Sequence, residues 1–558
     1  MIELTGSRLS VTTSTLKAIF DNGLLISLTS RSGGPELIGP PAADSPSALS
    51  LIFPNNQQVD LSADRDTQII ARRLDDHTAE YLFHGWRGDG ILRISECTQT
   101  GDLLIEPSAY SNRMGLVACR WSIANIASDL RLVAPFFQGI NLEMTDPLIR
   151  DTHWNWPHMW EAGLAILQGK SHGFSLHVRD TQYRPKSLAV GTKAAANCLG
   201  LNTEVFGPVD QNRAAGGLVW RINVHGADWR EPAGRYRTWL FDAYGLGKRM
   251  ASRPAWLNEI RLAASWVRSD PTVLDALSEK IEPRKVLLHL SEWRNHGYDE
   301  YYPDFTPSDA ARAFMAKARA MGFHVAPHCN SIDMDPSHPV FALLRDFVYT
   351  NVDKTTAGWA WRNGVLPVPA SNKALVENRT AKVMVKIHPG LSMWRSLLRQ
   401  HIEAGLTGLG SDSIFIDVTS CTWNLHNALV ENMTCTQGMA RLIDDIAAIP
   451  PAMAVGGEGL NEITMQGLSF AQVHLFLSWQ SSVAGLERTA GTAVCAFLFA
   501  GLARAIGYSD LSGKTENSAL RMRTHHSLGT IPTFTGLSAD DIRKPNKVVQ
   551  ELFELARS

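Results

Sequence analysis

The chain has 558 residues, 44% hydrophobic and 19% charged, a composition that excludes an intrinsically disordered protein and gives enough length for more than one hydrophobic core. Lys and Arg total 53 against 55 Asp and Glu, a formal charge of -2, so no global field favours nucleic acid or an anionic membrane as a partner. A neutral or mixed small molecule fits this balance best.

The seven cysteines (Cys97, Cys119, Cys198, Cys329, Cys421, Cys435 and Cys495) are scattered and form no CxxC pair, which reads as reduced thiols. Met1–Ser10 has polar residues every second or third position, with no basic region and no unbroken apolar run, so a cytoplasmic location is expected. The most apolar stretch, Thr492–Ala503, is too short to span a bilayer.

Up to about residue 225 the chain reads as strands joined by turns. Arg8–Thr13, Leu24–Leu28, Gln68–Ala71, Ala79–Phe83 and Ile91–Ser95 alternate or are rich in β-formers, and Gly/Pro clusters such as Ser32–Pro35 separate them. Leu116–Trp121, Ser175–Arg179 and Gly217–Val224 continue the pattern, which predicts an all-β sandwich over 1–227. A helix opening near Asp228 and stopping at Gly245 predicts a connector over 228–257.

From 258 to 558 short apolar strands alternate with amphipathic helices. Strands are expected at Arg261–Val267, Lys285–Ser291, Phe323–His328, Ser413–Val418 and Ala452–Val455, with helices at Ser308–Met321, Leu391–Gly405 and Gly438–Ile449. Gln472–Phe476, Ala493–Phe499 and Thr530–Phe534 are the candidates for the remaining strands, although the second also reads as a buried helix and Pro532 weakens the third. The sum is a (β/α)8 TIM-type barrel with an insertion around 329–382, a doubly wound sheet being the alternative.

In such a barrel the active site forms where strands end, so ionisable residues there are the first candidates. Asp417 ends the buried strand Ser413–Ile416, where an unpartnered charge is costly. Glu458 closes the next strand in Gly456–Gly457–Glu458–Gly459, and glycines on both sides would let a ligand approach the backbone. The two lie one strand–helix unit apart, so their carboxylates can face each other across a sugar, one ionised to attack the anomeric carbon and one protonated to release the leaving group. Asp417 takes the first role and Glu458 the second, with Glu462 as the rival acid and otherwise a substrate contact.

There are 16 tryptophans, whose flat rings can cover the apolar faces of a pyranose. Trp154 and Trp156 belong to the densest group, and Trp293, Trp359, Trp361 and Trp423 fall in barrel loops. His289, His328 and His388 lie at or near strand ends, where they would either be buried structural histidines or bond substrate hydroxyls. No HxH or HExxH spacing occurs and no GxSxG, GxGxxG or P-loop motif is present, so neither a metal nor a cofactor is expected.

The order of parts, with Tyr236–Leu240 in the connecting helix, Ile416–Asp417–Val418 after the fourth strand and Gly457–Glu458 after the fifth, resembles the endo-α-N-acetylgalactosaminidase-like enzymes of glycoside hydrolase family 101. The resemblance implies an N-terminal β-supersandwich, a barrel, and retaining hydrolysis of an α-linked sugar by Asp417 as nucleophile and Glu458 as general acid/base. The chain departs from those larger enzymes in showing no obvious calcium loop, and 536–558 reads as one closing helix. The expectation is therefore a glycoside hydrolase acting on a carbohydrate. The alternatives are a carbohydrate-binding or regulatory protein on an inactive barrel, and a metal-dependent hydrolase.

Overall fold

The computed structural model describes residues 1–40, 45–62, 66–193, 196–362, 366–369, 382–449, 453–473, 491–508 and 511–557. The chain divides into two compact units, Met1–Tyr244 and Gly245–Ser558.

The first unit is built from antiparallel sheets of four, ten and six strands, followed by the helix Arg230–Tyr244. Period-two patterning produces them: along Gly88–Glu96, residues 88, 90, 92 and 94 are buried while 89, 91 and 93 are exposed. In the six-stranded sheet Trp154, Leu188, Leu201 and Trp121 lie in register across four strands and are fully buried, forming one rung of the sandwich core. Strands such as Leu103–Ser111 and Ala196–Glu204 extend the unit beyond those the sequence pattern singles out.

The second unit is a barrel of eight parallel strands: β1 (Leu262–Arg268), β2 (Val286–Glu292), β3 (His324–Asn330), β4 (Ser413–Asp417), β5 (Ala454–Glu458), β6 (Phe470–Gln472), β7 (Arg504–Ile506) and β8 (Thr533–Thr535). β8 pairs with β1, and a parallel bridge between Ile506 and Ile531 joins the remaining edges. Capped helices lie between strands. Ser308 caps Asp309–Met321, and Thr434 with Gln437 forms a capping box at the start of Cys435–Ala447.

Three expected elements differ. Ala493–Phe499 does not supply a strand: Val494–Leu498 is a helix and β7 follows at Arg504–Ile506, a three-residue strand with too few positions to show periodicity. The sixth strand sits two residues earlier than the Gln472–Phe476 candidate, of which 474–476 lie outside the described residues. The C-terminal stretch forms two helices, Ala539–Arg543 and Lys547–Arg557, because Pro545 cannot continue the first. Pro532 is tolerated because it precedes β8, where its carbonyl accepts the Ala263 N–H at 2.9 Å.

The segment between β3 and the helix Ser392–Leu406 folds into its own antiparallel sheet, in which Lys382–Lys386 pairs with both Asp333–Met334 and Gly358–Arg362. All seven cysteines are free thiols. Among the described residues no helix is long and apolar enough to cross a membrane.

Candidate active site

Strand alternation divides the barrel interior into layers. Ala263, Leu287, Ala326, Phe415, Ala454, Phe470 and Ile506, one from each of β1 to β7, form a buried apolar cluster. Two residues further along, on the same inward face, come Ser265, His289, His328, Asp417, Gly456 and Gln472; Glu458 follows Gly456 after two more. The polar layer therefore lies on the C-terminal side of an apolar plug.

Asp417 and Glu458 are the last residues of β4 and β5, and the register pairing Ile416 with Gly457 makes them neighbours on strands about 4.8 Å apart. Both are buried. Asp417 is held through its backbone and its side chain: its carbonyl accepts from the Ser331 hydroxyl at 2.7 Å, and its Oδ2 accepts from the Tyr298 hydroxyl at 3.2 Å. The Val418 N–H donates to Glu458 Oε2 at 3.1 Å. Val418 has φ +67°, a costly conformation for a β-branched residue, so local strain is accepted where the backbone joins the two carboxylates. Thr419 Oγ1 fixes Glu458 from the same turn, accepting its N–H at 2.8 Å and donating to its carbonyl at 2.7 Å.

The glycines around Glu458 serve packing rather than ligand approach. A Cβ at Gly456 would overlap the Phe470 ring, one at Gly457 would lie 2.6 Å from Thr419 Oγ1, and one at Gly459 would lie 2.6 Å from the Ser420 Cβ. These neighbours come from β6 and from the turn after β4, which sequence spacing does not reveal.

Burial, then the charges of Glu458, Asp299 and Asp333, push the Asp417 carboxyl well above the ordinary carboxylate range, with the Tyr298 hydroxyl acting in the opposite direction. Asp333 and Lys386, both buried, form an ion pair at 2.8 Å within the small sheet. Burial opposes the Lys386 charge, but Asp333 and other anionic groups hold its pKa above the usual value.

The histidines form a chain leading to Asp417. Gln472 Nε2 donates to Ser265 Oγ at 2.6 Å, Ser265 Oγ lies 3.1 Å from His289 Nδ1, and His289 Nε2 lies 3.0 Å from His328 Nδ1. The Trp266 N–H also points at His289 Nδ1, so that nitrogen accepts and the proton resides on Nε2. His289 then donates to His328, whose own proton must sit on Nε2, facing Asp417 Oδ2 at 3.6 Å. Burial lowers the His289 pKa to about 3, and burial with the adjacent His289 and Arg294 holds His328 well below its usual value, so both rings are neutral at pH 7.

The other expected contacts divide by place. Trp293, just after the C-terminal end of β2, is fully buried, stacked on Phe305 with its indole donating to the His328 carbonyl at 2.6 Å. His388 is buried in the turn after Lys382–Lys386, with Nδ1 accepting from the Gly390 N–H at 3.0 Å. Trp423 is half-buried, bonded to Asn351 Oδ1 at 3.0 Å and set edge-on to Tyr349. Glu462 is buried in the turn after β5. Trp154 and Trp156 pack inside the first unit, Trp154 stacked on Phe136 and Trp156 under the Lys186 ammonium at 3.5 Å. The side chains of Trp359 and Trp361 lie outside the described residues.

Sequence reasoning missed Trp266 and Tyr298. Trp266 sits at a register break in β1 with φ +56°, its ring 5.3 Å from Tyr298 and 5.5 Å from His328. Its position at the end of a strand was the available signal, masked by the apolar run around it. Four buried polar atoms of this group have no hydrogen-bond partner among the described residues: Trp266 Nε1, His328 Nε2, Asp417 Oδ1 and Gln472 Oε1. Buried polar atoms are rarely left unpaired, so this layer gathers donors and acceptors that remain available for further hydrogen bonds. Among the described residues no group of three or more His, Cys, Asp or Glu is arranged to hold a metal ion.

Residues 218–428 match a family described as a domain of unknown function, DUF6259, a span that contains Asp417 but stops short of Glu458. A Bacteroides thetaiotaomicron protein provisionally described as a glycoside hydrolase is 23% identical over 202 residues, covering 35% of this chain and 27% of that protein, so the matched part spans about a quarter of the relative's length. Among solved structures, a quadruple mutant of the α-N-acetylgalactosaminidase of Bifidobacterium bifidum superposes with a TM-score of 0.68 at 11% identity, covering 98% of this chain and 93% of that one. The GalNAc complex of the B. bifidum enzyme gives a TM-score of 0.60 at 11% identity, over 87% of this chain and 83% of that one. At such identity the likeness is one of fold: a β-sandwich followed by a (β/α)8 barrel, an architecture shared with a solved glycoside hydrolase.

Proposed function

We propose that the protein is a retaining glycoside hydrolase that cleaves an α-glycosidic bond by double displacement, with Asp417 as nucleophile and Glu458 as general acid/base. The observation that supports this most directly is the buried Asp417–Glu458 pair on adjacent strand ends, beside four polar atoms that lack partners among the described residues. Neighbouring strand ends suit the short carboxyl separation of roughly 5 Å that retention requires. Glu458 delivers a proton to the glycosidic oxygen while Asp417 attacks the anomeric carbon; water then hydrolyses the glycosyl–aspartate with Glu458 acting as base. The α-configuration and an N-acetylhexosamine or galactose-type sugar are suggested by the fold shared with the B. bifidum α-N-acetylgalactosaminidase.

One observation favours the reversed assignment. Burial and then the Glu458, Asp299 and Asp333 charges push the Asp417 carboxyl upward, a direction that suits a proton donor. In the preferred reading the positive charge growing at the anomeric carbon draws Asp417 into its ionised form. Kinetics on a panel of aryl α-glycosides separates the two. Asp417→Asn should abolish turnover of every substrate, whereas Glu458→Gln should spare substrates with an activated phenol leaving group and gain rate from added azide. The opposite pattern reverses the roles, and full activity in both variants refutes the pair. The product's first-formed anomer, read by NMR, tests retention.

A further inference from the structure

The six-stranded sheet of the first unit has a polar face opposite its Trp154–Leu188–Leu201–Trp121 core rung. Register puts His153, Ala189, Gly200 and Ser122 on one rung of that face, and Asn155, Ser187, Asn202, Arg120 and Ser50 on the next. Small residues at 189 and 200 leave room, and a cleft of 260 Å³ opens there, with Gln58, Arg120, Ser122, His153 and the carboxylate-bearing Asp151 on its walls beside apolar residues such as Val190 and Leu199. A Cβ at Gly200 would fall 2.8 Å from Arg120 Cδ, so glycine at this position is what lets the arginine lie across the sheet.

Arg120 is the unusual group. Its Nε donates to Asn202 Oδ1 at 2.7 Å and its Nη1 to Gln58 Oε1 at 2.8 Å. Both acceptors are neutral amides; the Asp60 and Glu204 carboxylates act on the guanidinium through longer-range charge, and among the described residues none lies within ion-pair distance of it. Five N–H donors with only two engaged leave a planar cation still able to bind an anion. Beside it His153 Nδ1 is buried without a partner among the described residues, and burial together with the Arg120 charge, partly offset by a hydrogen bond with Asn155, holds that imidazole down to about 4, hence neutral.

We propose that this cleft is a second ligand site, separate from the Asp417 layer, that binds a single sugar unit bearing a carboxylate or phosphate, the anion on Arg120 and its hydroxyls on His153 and Ser122. A fork of guanidinium donors matches either anion, and the small volume, with both polar and apolar residues on its walls, suits one monosaccharide rather than a chain. The test is calorimetric titration of the full chain at low ionic strength with glucuronic acid, galactose 6-phosphate, inorganic phosphate and galactose. At least one acidic sugar should bind tenfold or more tightly than galactose and than inorganic phosphate, Arg120→Gln should weaken that binding at least tenfold, and Asp417→Asn should leave it unchanged. Should Arg120→Gln fail to fold, His153→Gln takes its place with a smaller loss expected. Equal binding of acidic and neutral sugars, retained binding in the cleft variants, or loss of binding in Asp417→Asn would each overturn the proposal. Because the Asp417 variant is inactive by design, this outcome is independent of whether the barrel hydrolyses glycosides.

Discussion

Tyr298→Phe removes one hydroxyl and probes the electrostatics of the site. That hydroxyl donates a hydrogen bond to Asp417 Oδ2 at 3.2 Å, while Asp417 Oδ1 has no partner among the described residues. A hydrogen bond to a charged group is worth about 1.5–3 kcal/mol, and each ~1.4 kcal/mol is tenfold in rate, so kcat/KM should fall roughly ten- to hundredfold. Donation by the hydroxyl favours the ionised carboxylate, so its loss moves the Asp417 pKa still higher. If Asp417 is the nucleophile, the acidic limb of the pH–kcat/KM profile shifts to higher pH; if it is the acid, the basic limb shifts instead. The assay is kcat/KM for an aryl α-glycoside between pH 4 and pH 9, with circular dichroism as the fold control. A folded variant within about twofold of the parent, with both limbs unmoved, would refute the electrostatic account.

Other perturbations test the surrounding layers. Asp417→Asn should raise the melting temperature by a few degrees while abolishing turnover, because it removes a carboxylate crowded by Glu458, Asp299 and Asp333; a lower Tm would show that the carboxylate is stabilising. Lys386→Met leaves Asp333 buried without its ion-pair partner and should cost about 3–5 kcal/mol in urea unfolding, most of it recovered by adding Asp333→Leu. His289 titrates near 3 in the native state and near 6.5 when unfolded, so between those values the unfolded chain binds more protons and stability falls as pH falls. His289→Gln should therefore flatten the loss of unfolding free energy between pH 6.5 and 4.5 by up to about 1.4 kcal/mol per pH unit, and an unchanged slope would show that His289 does not titrate as described. Gly456→Ala should destabilise the barrel through its overlap with Phe470 and recover in part when combined with Phe470→Leu, as read by Tm; recovery would fail if the glycine served something other than this packing.

Much of this molecule is legible in one dimension wherever a local pattern repeats. Period-two runs such as Gly88–Glu96 announce the β unit, and alternation of short apolar strands with capped helices such as Asp309–Met321 announces the barrel, because both record which side of a segment meets water. Asp417 was visible for the same reason: a charge at the end of a buried strand is a local anomaly. The three-residue strands β6, β7 and β8 carry no such record, since parallel neighbours rather than their own sequence define them. Partnership was likewise decided only by the tertiary structure. Trp266 and Tyr298 are distant in sequence from Asp417, Trp293 is fully buried with its indole bonded to the His328 carbonyl, and the glycines flanking Glu458 make room for Phe470, Thr419 and Ser420. Periodicity tells which face of a strand turns inward; only closure of the barrel determines which inward side chains meet.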